Sequence, residues 1–275
     1  MEINKPIKKL FDISGRNFVI SGSAGMLGKE FSTTMCKAGA NVILLDINQK
    51  ENKKIEKELV KRYNGKTKSY PIDITNKKEI KKLTKNVLKE FGQVDGLVNC
   101  AAFTTKGSIV SKSMFESLEN FPLELWQKSI DINLTGSFLL SQEFGNIMSK
   151  QKKGVIVNIS SIYGVVGNDQ RIYGKGGINA PPSYAVSKAG IINLTRYLAA
   201  YWHKKNIRVN TLTLGGVKDE SYQTKRFIKN YSEKTMLGRM ASKIEYNGAL
   251  LFLLSDASSY MTGSNLIVDG GWTAW

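Results

Sequence analysis

The sequence predicts an α/β fold: one domain with a doubly wound parallel sheet of about seven strands and helices on both faces. Three observations carry that reading. Short apolar runs alternate with longer helical patterns from end to end of the 275 residues. The runs are nearly continuous in Val, Ile and Leu, as strands buried on both faces must be. No Pro/Gly-rich linker or internal repeat interrupts them, so residues 1–275 are expected to form one unit.

The strands are expected at Phe18–Ile20, Val42–Leu45, Ser69–Ile72, Gly96–Asn99, Val155–Asn158, Val209–Leu214 and Leu266–Val268. Helical patterns fill 26–39, 50–63, 77–91, 123–150, 183–204 and 242–255. Residues 1–14 read as an extension over the sheet edge. Three segments fit the alternation poorly: 103–122, 166–181 and 216–237. Each follows a strand, so each should hang over the carboxyl edge, where open α/β sheets bind ligands. Long loops there shape substrate sites, and 166–181 and 216–237 are expected to do so.

After the first strand comes Ser21-Gly22-Ser23-Ala24-Gly25-Met26-Leu27-Gly28, then a helix. Glycines let a backbone turn tightly against a pyrophosphate that faces the helix N-terminus. Asp46 ends the next strand, 18 residues past Gly28. A carboxylate there can bond ribose hydroxyls and would repel a 2′-phosphate. No Arg or Lys stands in the turn or directly after Asp46, so NAD is favoured over NADP.

Tyr184 and Lys188 lie four residues apart in a helical stretch and share one face. A free phenol ionises near pH ~10. A neighbouring ammonium is expected to lower that value, so that Tyr184 can exchange a proton with an alcohol or a carbonyl. The pattern recurs at Tyr201 and Lys205, in a basic helix end that reads as a solvated C-terminal turn.

The net charge of +17 raises a nucleic-acid reading. The lysines are nevertheless spread over outer helix faces, densest from Lys50 to Lys66 and Lys77 to Lys89, with no aromatic-interleaved stripe. Nucleic acid is therefore not an expected partner. Arg171, Lys175, Lys218, Lys225 and Arg226 on the edge loops suit an anionic substrate, whereas the Gly- and Tyr-containing loop suits a neutral polyol. One His and two Cys make no zinc site, so no metal is expected. No apolar run reaches the ~18 residues of a membrane span, and no leader-like segment opens the chain. A cytoplasmic location is the expectation.

From about residue 12 onward the chain resembles the short-chain dehydrogenase/reductase family. Seven marks follow the family's order. Gly22 to Gly28 resembles its glycine-rich turn, and Asp73-Ile74-Thr75 its adenine-ring motif. Asn99-Cys100-Ala101-Ala102 resembles its Asn-Asn-Ala-Gly motif. Asn133, Ser161, and Tyr184 with Lys188 match its catalytic residues. Val268-Asp269-Gly270-Gly271 is a common family ending.

The resemblance implies a Rossmann-type fold and NAD(P)-dependent hydride transfer between nicotinamide and a secondary alcohol or ketone. It implies Tyr184 as acid/base and Lys188 as its tuner and a ribose ligand. Ser161 would bond the reacting oxygen, and Asn133 would hold a water beside Lys188. Gly22, Gly25, Met26, Leu27, Gly28, Asp46, Asp73, Ile74, Asn99, Ala101, Gly215 and Val217 would complete the cofactor site. A small-molecule substrate and a homodimer or homotetramer follow, paired through helices 123–150 and 183–204.

Departures from the family pattern are expected to matter. Met26 stands at the middle glycine of the turn, and Leu214 replaces the Pro before Gly215, which should loosen the nicotinamide loop. Ser161 and Tyr184 are 23 residues apart, wider than usual, so 166–181 is expected to be a substrate-recognition insertion. The Gly271-Trp272-Thr273-Ala274-Trp275 end and the Ala-Gly-Met-Leu-Gly turn resemble members from bacterial surface-sugar and flagellin-modification pathways. These favour a sugar, sugar phosphate or nucleotide sugar. The non-enzymatic alternative, an NAD-binding regulator or scaffold, would be favoured by a missing catalytic residue, and none is missing.

Overall fold

The computed structural model describes residues 6–104, 116–174, 180–221 and 223–275. Seven parallel strands form one sheet in the order β3-β2-β1-β4-β5-β6-β7. They are β1 Asn17–Ser21, β2 Asn41–Asp46, β3 Thr67–Pro71, β4 Gly96–Asn99, β5 Gly154–Ser161, β6 Ile207–Leu214 and β7 Asn265–Val268. The expected strands are all present, most with longer ends.

Each strand's side chains alternate between two cores, as a pleat requires. Phe18, Ile20, Val42 and Leu44 face α2 (Met26–Lys37), α3 (Gln49–Arg62) and α9 (Asn247–Leu254). Val19, Ile43 and Leu45 face α4 (Lys77–Phe91), α6 (Gly136–Gln151) and α7 (Pro182–Tyr201). Asn side chains start two of these helices: Asn48 accepts from Glu51 N, and Asn76 from Lys78 N and Glu79 N. No helix among the described residues is long and apolar enough to cross a membrane.

The structure departs from the sequence reading at four places. The extension is partly built in: α1 (Ile7–Leu10) lies outside, but Ile13 is wholly buried in the first core. The helix expected over 123–150 is α5 (Leu123–Ile130), a π-helical turn Asp131–Thr135, then α6. The segment 216–237 is not all loop. It holds α8 (Lys225–Ser232), capped by Thr224 Oγ1, which accepts from Phe227 N at 3.1 Å. Its signal was present as Phe227, Ile228 and Tyr231 at i, i+1 and i+4. The loop around Gly215 is not loosened by Leu214. Leu214 pairs with Ser161 and Val268 in the sheet. Beyond it, Tyr246 Oη donates to Gly215 O at 2.8 Å and Gly216 N donates to Tyr231 Oη at 2.5 Å.

Candidate active site

Sheet order reverses between β1 and β4, and the chain ends of both strands open into a cleft of about 1520 Å³. It is walled by residues from the carboxyl ends of six strands: Gly22, Asp46, Ile72, Cys100, Ser161 and Leu214.

Gly22 sits at φ +71°, and a Cβ there would lie 2.6 Å from Ala101 Cα. A Cβ on Gly28 would lie 2.0 Å from Gly22 O. These two glycines let the turn fold back on itself and against β4. Gly25 N-caps α2 with no side-chain cap, so the first amides of that helix have neither side-chain nor intrahelical partners. They open on the cleft through Met26, Leu27 and Gly28. Leu27 packs on the first core, while Met26 stays more than a third exposed. This is a site shaped for an anion such as a pyrophosphate.

Asp46 is tied to the same turn. Its Oδ2 accepts from Ala24 N at 2.9 Å and its Oδ1 from Asn48 N at 2.8 Å. Asn48, not Asp46, caps α3. Two of the carboxylate's roughly four acceptor positions are used, which leaves capacity for ribose hydroxyls. Asp73, Ile74, Ala101, Gly215 and Val217 also line the cleft. These residues fit a nicotinamide dinucleotide.

Two sequence-predicted site residues are not on the cleft wall. Asn99 lies beneath it, 2% exposed, donating through Nδ2 to Asn158 Oδ1 at 2.7 Å and Ser141 Oγ at 2.9 Å. Asn133 sits in the π-helical turn, 1% exposed. Its Oδ1 accepts from Phe103 N at 2.6 Å and its Nδ2 donates to Phe103 O at 3.2 Å and Ser187 Oγ at 3.2 Å. Both ends of this amide hold the Phe103 backbone, and its Nδ2 also donates to Ser129 Oγ at 3.3 Å.

Ser161, Tyr184 and Lys188 come together on the cleft wall. Ser161 ends β5, and Tyr184 and Lys188 lie one turn apart on α7. Ser161 stands beside Tyr184, near enough to lower the pKa of its phenol. Lys188 Nζ donates to Ile159 O at 2.9 Å and stands 5.7 Å from the Tyr184 ring centroid. The second pair is elsewhere: Tyr201 is an exposed helix end.

The electrostatics correct one expectation. Burial pushes the Tyr184 phenol above its ordinary value, outweighing the lowering by Ser161, and the Cys100 thiol adds to the rise. Lys188 does not pull it down in this geometry. Burial lowers Lys188 itself to about 8, and pushes the Cys100 thiol up to about 12.

The Lys188 shift has a stability consequence. An unfolded Lys holds its proton up to ~10.4, so between about 8 and ~10.4 the unfolded chain binds more protons at this position. Stability contributed by Lys188 therefore rises with pH through that window. Chemical denaturation of wild type and Lys188→Met across pH 7–11 checks it. The difference between the two isolates Lys188 from Cys100 and the buried tyrosines, which titrate with the opposite sign. A pH-independent difference would contradict the assignment.

Four of the five edge-loop cations expected to suit an anionic substrate do not line the described cleft. Arg171 turns outward and pairs with Asp169 at 2.7 Å, and Lys218 pairs with Glu220 at 2.7 Å. Neither lines the cleft, nor do Lys225 and Arg226. Lys175 lies outside the described residues. Among the described residues the charged lining is Asp46, Asp73, Glu124, Asp131 and Asp219 against Lys128 and Lys188. In a chain of net charge +17, the described part of the cleft is thus richer in acids than in bases.

The sequence reading missed the aromatic part of the wall: Tyr163, Tyr173, Phe227 and Tyr231. They come from β5's end, the 166–181 segment and α8, which meet only in three dimensions. Of the C-terminal tryptophans, Trp272 is buried against Tyr231, with ring centroids 4.3 Å apart. Trp275 is exposed, its Nε1 donating to Lys234 O at 3.0 Å.

Comparison with known proteins agrees with this geometry. The family model described as enoyl-(acyl carrier protein) reductase matches residues 22–273. An NAD-dependent glycerol dehydrogenase of Listeria innocua is 33% identical, with 98% of each chain covered. A post-translational flagellin modification protein A of Campylobacter coli is 32% identical over 92% of this chain and 96% of its own. A crystal structure of a short chain dehydrogenase from Leptospira borgpetersenii with bound NAD+ is 35% identical, covers 99% of this chain and 98% of its own, and superposes with a TM-score of 0.83. With the glycine turn, the acid at the end of β2 and the Ser–Tyr–Lys group in one cleft, the chain belongs to the short-chain dehydrogenase/reductase family of nicotinamide-dependent oxidoreductases.

Proposed function

We propose that this oxidoreductase uses NAD to interconvert a secondary alcohol and a ketone on a neutral polyhydroxy compound. The observation that carries it is the continuity of one cleft. It runs from the uncapped α2 and Asp46 to Ser161, Tyr184 and Lys188, with acids outnumbering bases along its described lining. The bound nicotinamide supplies hydride exchange. Tyr184 Oη gives its proton to the reacting oxygen in reduction and takes it in oxidation. Ser161 Oγ, at the end of β5, holds that oxygen within reach. Lys188, whose ammonium has the Ile159 carbonyl as anchor, would hold the cofactor's ribose. Asn133 acts at one remove, by fixing the Phe103 backbone at the cleft wall.

The acid-rich lining disfavours phosphorylated and nucleotide-linked sugars, since like charges repel most strongly where water is excluded. The glycerol activity named for the Listeria relative supports a neutral polyol. Exposed Val186 and Tyr197 on α7 support pairing of copies through that helix.

Calorimetry with NAD and NADP, followed by a turnover screen at the nicotinamide absorbance band, tests the reading. Tight NAD binding with turnover of polyols or unphosphorylated ketoses is the expected result. Turnover confined to phosphorylated substrates, or binding of neither cofactor, would refute it. On the same assay Asp46→Ser should shift the NAD/NADP preference toward NADP by about tenfold or more, since a charge repelling the 2′-phosphate is removed.

A further inference from the structure

The insertion 166–181 and α8 do not lie over the cleft as separate loops; their described parts form one body. Asn230 Nδ2, on α8, donates to Ile172 O at 3.1 Å. Asp169 accepts from Lys234 at 3.1 Å, just beyond that helix, as well as from Arg171. Tyr173 and Phe227 bring their rings together at 5.4 Å, inclined by 37°. Phe227 meets Tyr231 at 5.9 Å, and Tyr231 rests on buried Trp272. Ile172, Tyr231, Met240 and Trp272 make a small third core behind this ladder. The rings are thus held from behind and cannot rotate away independently.

In front, Tyr173, Phe227 and Tyr231 line the cleft. With Tyr163, they share that lining with Ser161, Tyr184 and Lys188. Asp219 and Gln223, from the segment leading into α8, add acceptor and amide groups to the same lining. Gln223 is itself fixed, its Nε2 donating to Val217 O at 2.9 Å.

We propose that Tyr173 and Phe227, backed by buried Tyr231, form a stacking wall for the substrate, and that it selects a neutral ring-shaped polyol, a cyclitol or cyclic sugar, over an open-chain one. The inference rests on the functional reading above. A saturated ring with hydroxyls around its edge presents a flat face of C–H groups. That face suits the electron-rich side of an aromatic ring, while the edge hydroxyls suit Asp219 and Gln223. An open-chain polyol has no continuous apolar face and would pay rotational entropy on this wall without gaining the contact. Asp169 serves as a positioning residue, since its ion pairs tie the strip carrying Tyr173 to the end of α8.

The test is a kcat/KM comparison between ring diols with cyclitols (1,2-cyclohexanediol, myo-inositol) and open chains (glycerol, xylitol, mannitol), with NAD saturating. Wild type is expected to prefer the best ring compound by about tenfold or more. Tyr173→Leu and Phe227→Leu should each collapse that ratio, mostly through KM for the ring compound, and Tyr173→Phe should retain it. Asp169→Asn should raise KM for the ring compound while leaving kcat near wild type. Preference for open chains, or a ratio that both Leu variants preserve, overturns the proposal and leaves the functional reading standing. Turnover of phosphorylated sugars alone, or of neither class, overturns both.

Discussion

Replacing Tyr184 with Phe is expected to lower turnover by roughly a thousandfold or more while NAD affinity stays within about threefold. The substitution removes one oxygen and keeps the ring. That oxygen belongs to the cleft wall beside Ser161 at the end of β5, where we propose that it exchanges a proton with substrate. The dinucleotide contacts proposed above would run through the glycine turn, Asp46 and Lys188, none of which depends on the phenol oxygen. Loss of one hydrogen bond costs only about 1 kcal/mol of stability, so the variant should fold. Calorimetry and steady-state kinetics on one preparation separate the two effects. Wild-type turnover would remove Tyr184 from the chemistry, and loss of NAD binding would make its role structural.

The second large effect is expected at Gly28. An added methyl there would sit 2.0 Å from Gly22 O and 2.8 Å from Ser23 Cα. Both obstacles are backbone, which cannot rotate aside. The turn must open, at a cost of about 1–3 kcal/mol. Movement of the α2 amides by even about an ångström should weaken NAD roughly a hundredfold. Gly25 supplies the contrast. Its φ is −73°, and an added Cβ meets only Gly22 O at 3.2 Å. Gly25→Ala should therefore stay within about tenfold of wild type. Thermal melts with and without NAD, alongside calorimetry, compare the two variants. Equal affinities for Gly28→Ala and wild type would mean that the turn does not hold the cofactor.

The strands were legible because a buried parallel strand has to be apolar along its whole length, as Val42 to Leu45 and Val155 to Val157 are. The glycine turn was legible because its geometry admits no side chain at Gly22 or Gly28. Asn133 and Asn99 were legible as marks but not as placements. Asn133 binds Phe103 and the Asn99 Nδ2 binds Asn158, partners 30 and 59 residues away in sequence that only the folded chain brings near. The break at Asp131–Thr135 was hidden for a related reason. The run from 123 to 150 keeps helical periodicity throughout, and a π-turn adds one residue to a turn without altering composition.

What the sequence by itself determined was the alternation of buried strands and covering helices, the catalytic and cofactor marks in their order, and a surplus of positive charge. What only the tertiary structure decided was where the charge and the rings point. Arg171 turns to Asp169 and Lys218 to Glu220, each a carboxylate two residues away along the chain. Tyr173, Phe227 and Tyr231 become one wall because the insertion and α8 share a small core beneath them. Charge counts and loop lengths are additive along a chain, whereas the sign and shape of a cleft depend on which side chains the packing turns inward.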